Sequence, residues 1–101
     1  MALDTMLKFV VRTGKVVIGA RKTIKMVKLG KVKYVVIATN TPEEVKQDIE
    51  YYAKLSKVKL IRFPGSNKEL GTTIGKPFGV AIMGIQDPGQ VPYEALDRLA
   101  E

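Results

Sequence analysis

The sequence predicts an α/β fold, a three-layer α/β/α sandwich in which alternating helices cover a central four-stranded sheet. Two observations lead to this prediction. Segments whose apolar residues recur every three to four positions alternate with short β-branched runs, in the order α-β-α-β-α-β-α-β-α. The run "YVVIA" at 34–38 is apolar at every position, as expected for a strand covered on both faces. Because the joints are short and no linker, repeat or low-complexity tract interrupts them, we expect a single domain over residues 1–101.

The first part of the chain is predicted to form two helices around a strand. Apolar residues at i, i+3, i+4, i+7 and i+8 from Leu3 predict a helix that ends near Gly14. The β-branched run "VVI" at 16–18 predicts the first strand. Helical period returns from Ala20 to Leu29, and Gly30 is the expected stop.

After the second strand, two sequence signals predict helix starts. In "TPEE" at 41–44, Thr41 is the expected cap and Pro42 suits the first helical position. The run "KLIRF" at 59–63 predicts the third strand, and the S-x-x-E motif at 66–69 then predicts a capping box for a short helix.

The last part of the chain is predicted to form one strand and one helix. The short helix should stop at Gly75, and "GVAIMGI" at 79–85 predicts the fourth strand. A "DPG" turn follows, and Pro92 opens a final helix that we expect to continue through Leu99.

The composition limits the chemistry that the chain can perform, since it contains no histidine and no cysteine. Histidine is the commonest general base and metal ligand, and cysteine is needed for thiol or disulfide chemistry. The stretch "GTTIGKP" at 71–77 is a weak match to a phosphate-binding loop. Its glycine spacing is one residue short, and Pro77 replaces the Ser/Thr that would hold Mg²⁺. We therefore expect no enzyme activity, no bound metal and no cofactor.

Nothing in the sequence indicates a membrane or export signal. No apolar stretch approaches the roughly 18–20 residues that a membrane-spanning helix needs. The N-terminal "MALDTMLKFVVRTGK" carries Asp4 and Lys8 among periodic apolar residues and lacks a cleavage site after a long apolar core. Together with the lack of cysteine, this favours an intracellular protein that does not associate with membranes.

The net charge of +7 is unevenly distributed along the chain. Residues 1–40 hold nine Lys/Arg against Asp4 alone, whereas residues 41–101 hold eight Lys/Arg and nine Asp/Glu. A basic excess confined to one portion of a domain usually faces a polyanion. The sequence therefore predicts a polyanionic partner for its first 40 residues.

The segment "IGARKTIKMVKLGK" at 18–31 contains five cations and no carboxylate. Arg21 and Lys22 fall at the predicted helix start, where the positive end of the helix dipole makes carboxylates the stabilising choice. Open N–H groups with added cations make such a start an anion receptor, and Arg21, Lys25 and Lys28 continue it as a basic stripe. A solvated lysine-rich face is the alternative. The inverted charge at the helix start favours a phosphate-backbone site.

Two other joints are candidates for the same site, because loops at strand ends gather at one end of an α/β sheet. In "ATN" at 38–40, Asn40 has the groups to hydrogen-bond a base edge, or it is only a turn residue. In "GKPFGV" at 75–80, Phe78 either stacks on an unstacked base or folds back as a lid on the core. The residues themselves leave both alternatives open.

Several segments in combination resemble the kink-turn RNA-binding ribosomal protein superfamily, and most closely its large-subunit type of archaea and eukaryotes, the L-thirty-e type. The segments are "GKVVIGARKTIK" and "LGKVKYVVIA" within 14–40, "DIEYYAKLSKVK" at 48–59, "NKELGTTIGKPFGV" at 67–80 and "DPG" at 87–89. Related proteins of the L-seven-Ae type have Asn-Glu at the positions of Arg21 and Lys22. This departure favours the ribosomal type over the general kink-turn protein of guide-RNA particles.

The resemblance implies an α/β/α sandwich that binds a kink-turn, an RNA internal loop with a sharply bent backbone. It places Gly19, Arg21, Lys22 and Lys25 near the bent backbone, where cations suit phosphates better than base edges. It further implies that Asn40 reads a base and that Phe78, Gly79 and Val80 form an apolar wall against a nucleotide. With the basic stripe and the lysine of the aromatic loop included, the predicted RNA-binding residues are Gly19, Arg21, Lys22, Lys25, Lys28, Asn40, Lys76, Phe78, Gly79 and Val80.

The expected function is a structural constituent of the large ribosomal subunit that binds rRNA at a kink-turn or a similar internal loop. We expect it in the cytoplasm on the ribosome, beside neighbouring ribosomal proteins, and monomeric when free. Three alternatives remain at this point: a non-ribosomal kink-turn protein, a basic protein–protein interaction module, and a small phosphate-ester enzyme. The last would need a cluster of carboxylates at the strand ends, which the sequence places poorly.

Overall fold

The computed structural model describes residues 2–101, which form five helices and four strands in the predicted order. The helices are α1 Leu3–Thr13, α2 Ala20–Lys28, α3 Glu43–Leu55, α4 Asn67–Thr73 and α5 Tyr93–Asp97. The strands are β1 Lys15–Ile18, β2 Tyr34–Ile37, β3 Lys59–Arg62 and β4 Ile82–Asp87. None of these helices is long and apolar enough to cross a membrane. The predicted element order is confirmed.

The four strands form one mixed sheet in the order β1-β4-β2-β3. β2 and β3 run parallel, whereas β4 lies between β1 and β2 and runs antiparallel to both. As a result, β1, β2 and β3 finish at the same end of the sheet, and β4 begins there. The apolar pattern predicted each strand but not its neighbours, because the pattern reports burial and not pairing.

Two apolar clusters cover the two faces of the sheet, as a three-layer sandwich requires. On one face α1, α4 and α5 contribute Leu7, Leu70 and Leu96, and on the other α2 and α3 contribute Val27 and Ile49. Each of these side chains is fully buried, which stabilises the fold by about 2 kcal/mol per residue. All four residues of β2 are buried, alternately in one cluster and the other. The predicted sandwich is therefore confirmed.

The start of α3 differs from the prediction. Pro42 is the N-cap residue, and no side chain caps the helix. Thr41 is buried, and its hydroxyl donates to the carbonyl oxygen of Ala38 at 2.8 Å and lies 3.3 Å from that of Ala81. The predicted Thr41 cap is thus wrong, because this hydroxyl joins the end of β2 to the start of β4 instead.

The predicted capping box at α4 is confirmed. The Ser66 hydroxyl accepts from the backbone N–H of Glu69, and the Glu69 carboxylate accepts from the backbone N–H of Ser66, both at 3.3 Å. These two bonds satisfy orphan donors of the first turn and typically stabilise a helix start by about 1 kcal/mol. The short helix is therefore fixed by its own sequence as well as by packing.

Two predicted boundaries at the end of the chain are shifted. The fourth strand begins at Ile82 rather than at residue 79, because residues 79–81 belong to a joint that bonds to other loops. The final helix ends at Asp97 and not at Leu99. After it, Ala100 forms an antiparallel bridge with Ile61, so the last residues follow the outer side of β3 instead of continuing the helix.

The last helix is attached to the start of β2 by a buried tyrosine. The Tyr34 hydroxyl donates to the Asp97 carboxylate at 2.5 Å, and Lys59 Nζ lies 2.9 Å from the same carboxylate. Burial, and next the hydrogen bond to Asp97, raises the pKa of Tyr34. The hydrogen bond from Tyr34, and next that from Lys59, lowers the pKa of Asp97. The carboxylate is therefore held ionised between two donors.

Helices α2, α3 and α4 end in one hydrogen-bond pattern, in which the residue after the cap has a positive φ. That residue is Gly30 in α2 (φ 69°) and Gly75 in α4 (φ 79°). In α3 it is Lys57 (φ 58°), the only non-glycine residue with positive φ within residues 2–101. The pattern is complete there, since the Val58 N–H donates to the carbonyl oxygen of Ala53 at 2.8 Å. A side chain in this conformation costs about 1 kcal/mol relative to glycine.

We expect Lys57→Gly to raise the free energy of unfolding by about 0.5–1 kcal/mol, because it removes the left-handed strain and keeps the helix stop. Urea denaturation of both proteins measures the change. Lys54→Gly is the matched control, since it removes the same charge from inside α3 and should lower stability by about 1 kcal/mol. A loss of stability in Lys57→Gly would contradict the strain assigned to this position.

Candidate RNA interface

Four joints meet at the end of the sheet where β1, β2 and β3 finish and β4 begins. We call this the joint end, formed by residues 19–22, 38–41, 63–67 and 75–81. Backbone hydrogen bonds extend the sheet pairing into the joint end. The Gly19 N–H donates to the Ile82 carbonyl oxygen at 2.9 Å, and the Ala38 N–H donates to the Ala81 carbonyl oxygen at 2.8 Å. The predicted gathering of the three candidate joints at one end of the sheet is thereby confirmed.

The start of α2 is fixed by Gly19, whose φ of 107° lies in the region that favours glycine. The first helical bond runs from the Thr23 N–H to the Gly19 carbonyl at 3.0 Å. The N–H groups of Ala20, Arg21 and Lys22 precede that bond and have no partner within the helix. No side chain caps this start, and the first turn holds no acidic residue. The helix therefore begins with open donors and a positive dipole end.

The cations of α2 are exposed and do not form ion pairs within the described chain. Arg21, Lys22, Lys25 and Lys28 are all on the surface. The three salt bridges among residues 2–101 use Lys59 and Arg62 and none of these four cations. Lys28 differs from the others, since its Nζ lies 4.4 Å from the centre of the Tyr52 ring on α3. The three cations nearest the helix start are thus the ones left open to an anion.

The side chain of Asn40 is held by α4. Its Nδ2 donates to Asn67 Oδ1 at 2.7 Å, and its Oδ1 accepts from the Asn67 backbone N–H at 2.8 Å. Asn40 therefore satisfies an orphan donor of the first turn of α4 from across the joint end. One amide hydrogen and one lone pair remain for another partner. Asn40 is thus more than a turn residue, and its exposed amide has a fixed orientation.

Asn67 has a central position at the joint end, although it is not among the predicted RNA-binding residues. Besides its two bonds to Asn40, its carbonyl accepts from the Val80 N–H at 2.9 Å. A Cβ built on Gly79 would lie 2.6 Å from Asn67 Nδ2, so the loop passes directly against this side chain. Asn67 therefore links two joints that are far apart in sequence. The only local signal was its place beside a capping serine, which does not identify a long-range partner.

The aromatic loop presents Phe78 to solvent, with 55% of the residue exposed. Phe78 therefore does not fold back as a lid on the core. It lines a shallow concavity with Lys68, Thr72, Lys76 and Pro77. Two lysines thus flank the exposed ring, and Lys68 was not among the predicted residues. This combination of an apolar ring with two cations suits a nucleotide, which has an apolar face and a phosphate.

The two residues after Phe78 have different environments. Gly79 is exposed, but Val80 is 2% exposed and belongs to the core cluster that α1 and α4 cover. The resemblance implied that Val80 belongs to an apolar wall against a nucleotide, and the structure places its side chain in the core behind that loop. Because β4 starts only at Ile82, Val80 lies in the joint before it. The Val80 N–H donates to the Asn67 carbonyl oxygen, and the Val80 side chain points into the core. Phe78 is the exposed apolar side chain of this loop.

The geometry defines a small α/β protein with a basic, uncapped helix start beside an exposed aromatic loop. A sequence profile described as "Ribosomal protein L7Ae/L30e/S12e/Gadd45 family" matches residues 1–93. The chain belongs to this family. The resemblance found in the sequence is thereby confirmed.

Proteins from archaea and from a yeast are similar over most of their length, and each is named "Large ribosomal subunit protein eL30". The protein of Methanothermobacter thermautotrophicus is 49% identical over 89 residues, which cover 88% of this chain and 91% of that protein. The protein of Sulfurisphaera tokodaii is 51% identical over 87 residues, covering 86% and 82%. The protein of Candida glabrata is 44% identical over 88 residues, covering 87% and 84%.

A solved structure from Bacillus halodurans C, described as a protein with unknown function, has the same fold. It is 19% identical to this chain, with a TM-score of 0.76 and 83% of each chain covered. At this identity the likeness concerns the fold alone.

The position of the aromatic loop should depend on Gly71 in α4. A Cβ at this position would lie 2.0 Å from the carbonyl oxygen of Phe78. We expect Gly71→Ala to cost about 3 kcal/mol of stability, because backbone atoms must move. At Gly75, a Cβ would meet nothing within 4 Å, so Gly75→Ala should cost only the backbone strain, about 1 kcal/mol. Chemical denaturation of both variants tests this, and equal losses would contradict the close approach.

Proposed function

We propose that the chain is a large-subunit ribosomal protein of the eL30 type that binds rRNA at a kink-turn or a similar asymmetric internal loop. The observation that carries the proposal is the joint end, where a basic uncapped helix start lies beside an exposed aromatic loop. The names of similar proteins from two archaea and a yeast support the ribosomal assignment.

The start of α2 receives the RNA backbone. A sharply bent RNA brings phosphates close together, and their repulsion opposes the bend. The open N–H groups at Ala20 to Lys22 and the side chains of Arg21, Lys22 and Lys25 oppose that repulsion with fixed positive charge. These cations are already held close together in the free protein, so binding does not have to assemble them. The site therefore lowers the free-energy cost of bending the RNA.

The aromatic loop and Asn40 receive the nucleotides that the bend exposes. An unstacked base regains stacking on the Phe78 ring, while Lys76 and Lys68 accompany its phosphate. The remaining hydrogen-bonding capacity of Asn40 is directed by its two bonds to Asn67, so it reads a base edge at low entropic cost. Gly79 lets the RNA approach the loop backbone, and buried Val80 anchors the loop to the core.

The wider assignment follows from the same proposal. The protein acts as a structural component and not as an enzyme, in the cytoplasm on the ribosome. Neighbouring ribosomal proteins contact it there, and it is a monomer when free. Lys28 extends the basic stripe along α2, and its ammonium, which lies 4.4 Å from the centre of the Tyr52 ring, keeps its charge.

Salt dependence should separate the two parts of the site. We expect Arg21→Ala and Lys25→Ala each to weaken RNA binding and to reduce the slope of log K against log salt by about 1. Phe78→Ala should cost about 1–2 kcal/mol of binding free energy with little change in slope, because stacking releases no counterions. Lys8→Ala on α1 is the control, since it removes one exposed charge outside the joint end. Equal slopes for all four variants would contradict this division.

The test of the function itself compares a kink-turn RNA with a straight duplex of equal length in gel-shift titrations at two salt concentrations. Tighter binding to the kinked RNA that persists at the higher salt supports shape-selective recognition. Equal affinities that fall together as salt rises would overturn it in favour of a basic interaction module, for which any long polyanion competes. A requirement for a divalent cation in phosphate-ester cleavage would identify an enzyme instead.

A further inference from the structure

The opposite end of the sheet carries a second group of cations that the proposed kink-turn site does not use. We call it the far end, formed by residues 30–34, 56–59, Tyr93 and Asp97. β2 and β3 begin here side by side, with Tyr34 paired to Lys59 in register and the Lys59 N–H donating to the Lys33 carbonyl at 3.3 Å. The two strand starts and the end of α3 enclose a concavity.

The far end combines lysines with an exposed aromatic ring. Lys33, Lys57 and Lys59 line the concavity, and all three are on the surface. Tyr93 is 48% exposed, and Lys33 Nζ lies 5.6 Å from the centre of its ring. Asp97 is the one carboxylate among the lining residues, and it is occupied by Lys59 and by the Tyr34 hydroxyl. Two of the three ammonium groups are therefore without a carboxylate partner in the described chain.

The backbone at Lys57 gives an independent reason to assign a role to this surface. Lys57 stops α3 in the left-handed conformation, at the position where α2 and α4 have Gly30 and Gly75. Glycine satisfies that position without strain, so local stability does not favour lysine there. A cation near a helix C-terminus is favourable, but Lys54 already supplies one in the last turn. Glycine at position 57 would relieve the backbone strain, yet the chain keeps lysine there. This retained strain indicates a use for the Lys57 side chain.

We propose that the far end is a second RNA-binding surface, which takes the phosphate backbone of an RNA segment other than the one held at the joint end. Lys33 and Lys57 neutralise phosphates, and Tyr93 offers its ring to a ribose or an unpaired base. An aromatic ring beside ammonium groups that lack a carboxylate partner favours RNA over an acidic protein segment, because every nucleotide carries both a phosphate and a base with a flat face. The proposal rests on the proposed function only in taking RNA as the polyanion.

The two surfaces are far enough apart to be occupied together. A strand of four residues spans about 13 Å, and the joints add to that length on both ends. The molecule measures 28 × 26 × 20 Å, so the two ends face different directions across a small body. A protein bound to a kink-turn at one end would thus hold a second RNA segment at the other.

The test uses the full chain saturated with an unlabelled kink-turn RNA whose stems are too short to reach the far end. A labelled straight RNA duplex is then titrated at several salt concentrations. We expect a ternary complex with the wild-type protein. Lys57→Gly and Lys33→Gln should each weaken duplex binding about three- to tenfold at low salt and lower the salt slope by about 1. Lys8→Gln, which removes one exposed charge from α1, should leave both unchanged.

Lys57→Gly is the decisive variant, because glycine keeps the helix stop and the fold. Weaker duplex binding by a variant that is at least as stable as the wild type supports the proposal. Displacement of the kink-turn RNA by the duplex, or equal duplex binding by Lys57→Gly, Lys33→Gln and Lys8→Gln, would overturn it.

A failure of the kink-turn assignment would be recognised separately. The wild-type protein would then bind the kinked and straight RNAs equally. In that case the duplex is titrated directly against an Arg21→Ala/Lys25→Ala variant, in which the joint end is weakened. Sensitivity of that binding to Lys57→Gly would still support the far-end surface, and insensitivity would overturn it.

Discussion

The position of β4 is the constraint on which the rest of the structure depends. It runs antiparallel between β1 and β2, so its first residue lies beside the last residues of both. Two backbone hydrogen bonds, from Gly19 to Ile82 and from Ala38 to Ala81, then fix the neighbouring joints. Without this pairing, the basic start of α2 and the aromatic loop before β4 would have no reason to lie at the same end of the sheet.

Polar side chains at the joint end serve both stability and recognition. Thr41 ties β2 to the start of β4, and the Asn40–Asn67 pair joins the next connection to α4. The bonds of Thr41 satisfy a buried hydroxyl, and Asn40 supplies an acceptor to the Asn67 N–H in the first turn of α4. The same bonds restrict the motion of the loops that are proposed to contact RNA, so binding loses less conformational entropy.

The two ends of the sheet differ in how their positive charge is arranged. At the joint end, Arg21 and Lys22 lie in the first turn of α2, at the positive end of the helix dipole, and that turn holds no carboxylate. At the far end, lysines surround one carboxylate, and Lys57 adopts a strained backbone. In both places the chain accepts a local cost that a neutral or acidic residue, or glycine, would avoid. A polyanion bound at each of the two proposed surfaces would offset these costs through its attraction to the lysine and arginine side chains.

The sequence by itself determined the elements and the chemistry of the chain: the buried run of β2, the Ser66–Glu69 capping box and the inverted charge at Arg21. These are local patterns, because the period of burial and the caps of a helix depend on residues within about one turn. Only the tertiary structure decided the strand order, the burial of Val80 and the link from Asn40 to Asn67. Those features join residues far apart in the chain, and no local pattern encodes which distant group will satisfy a given donor or cover a given side chain.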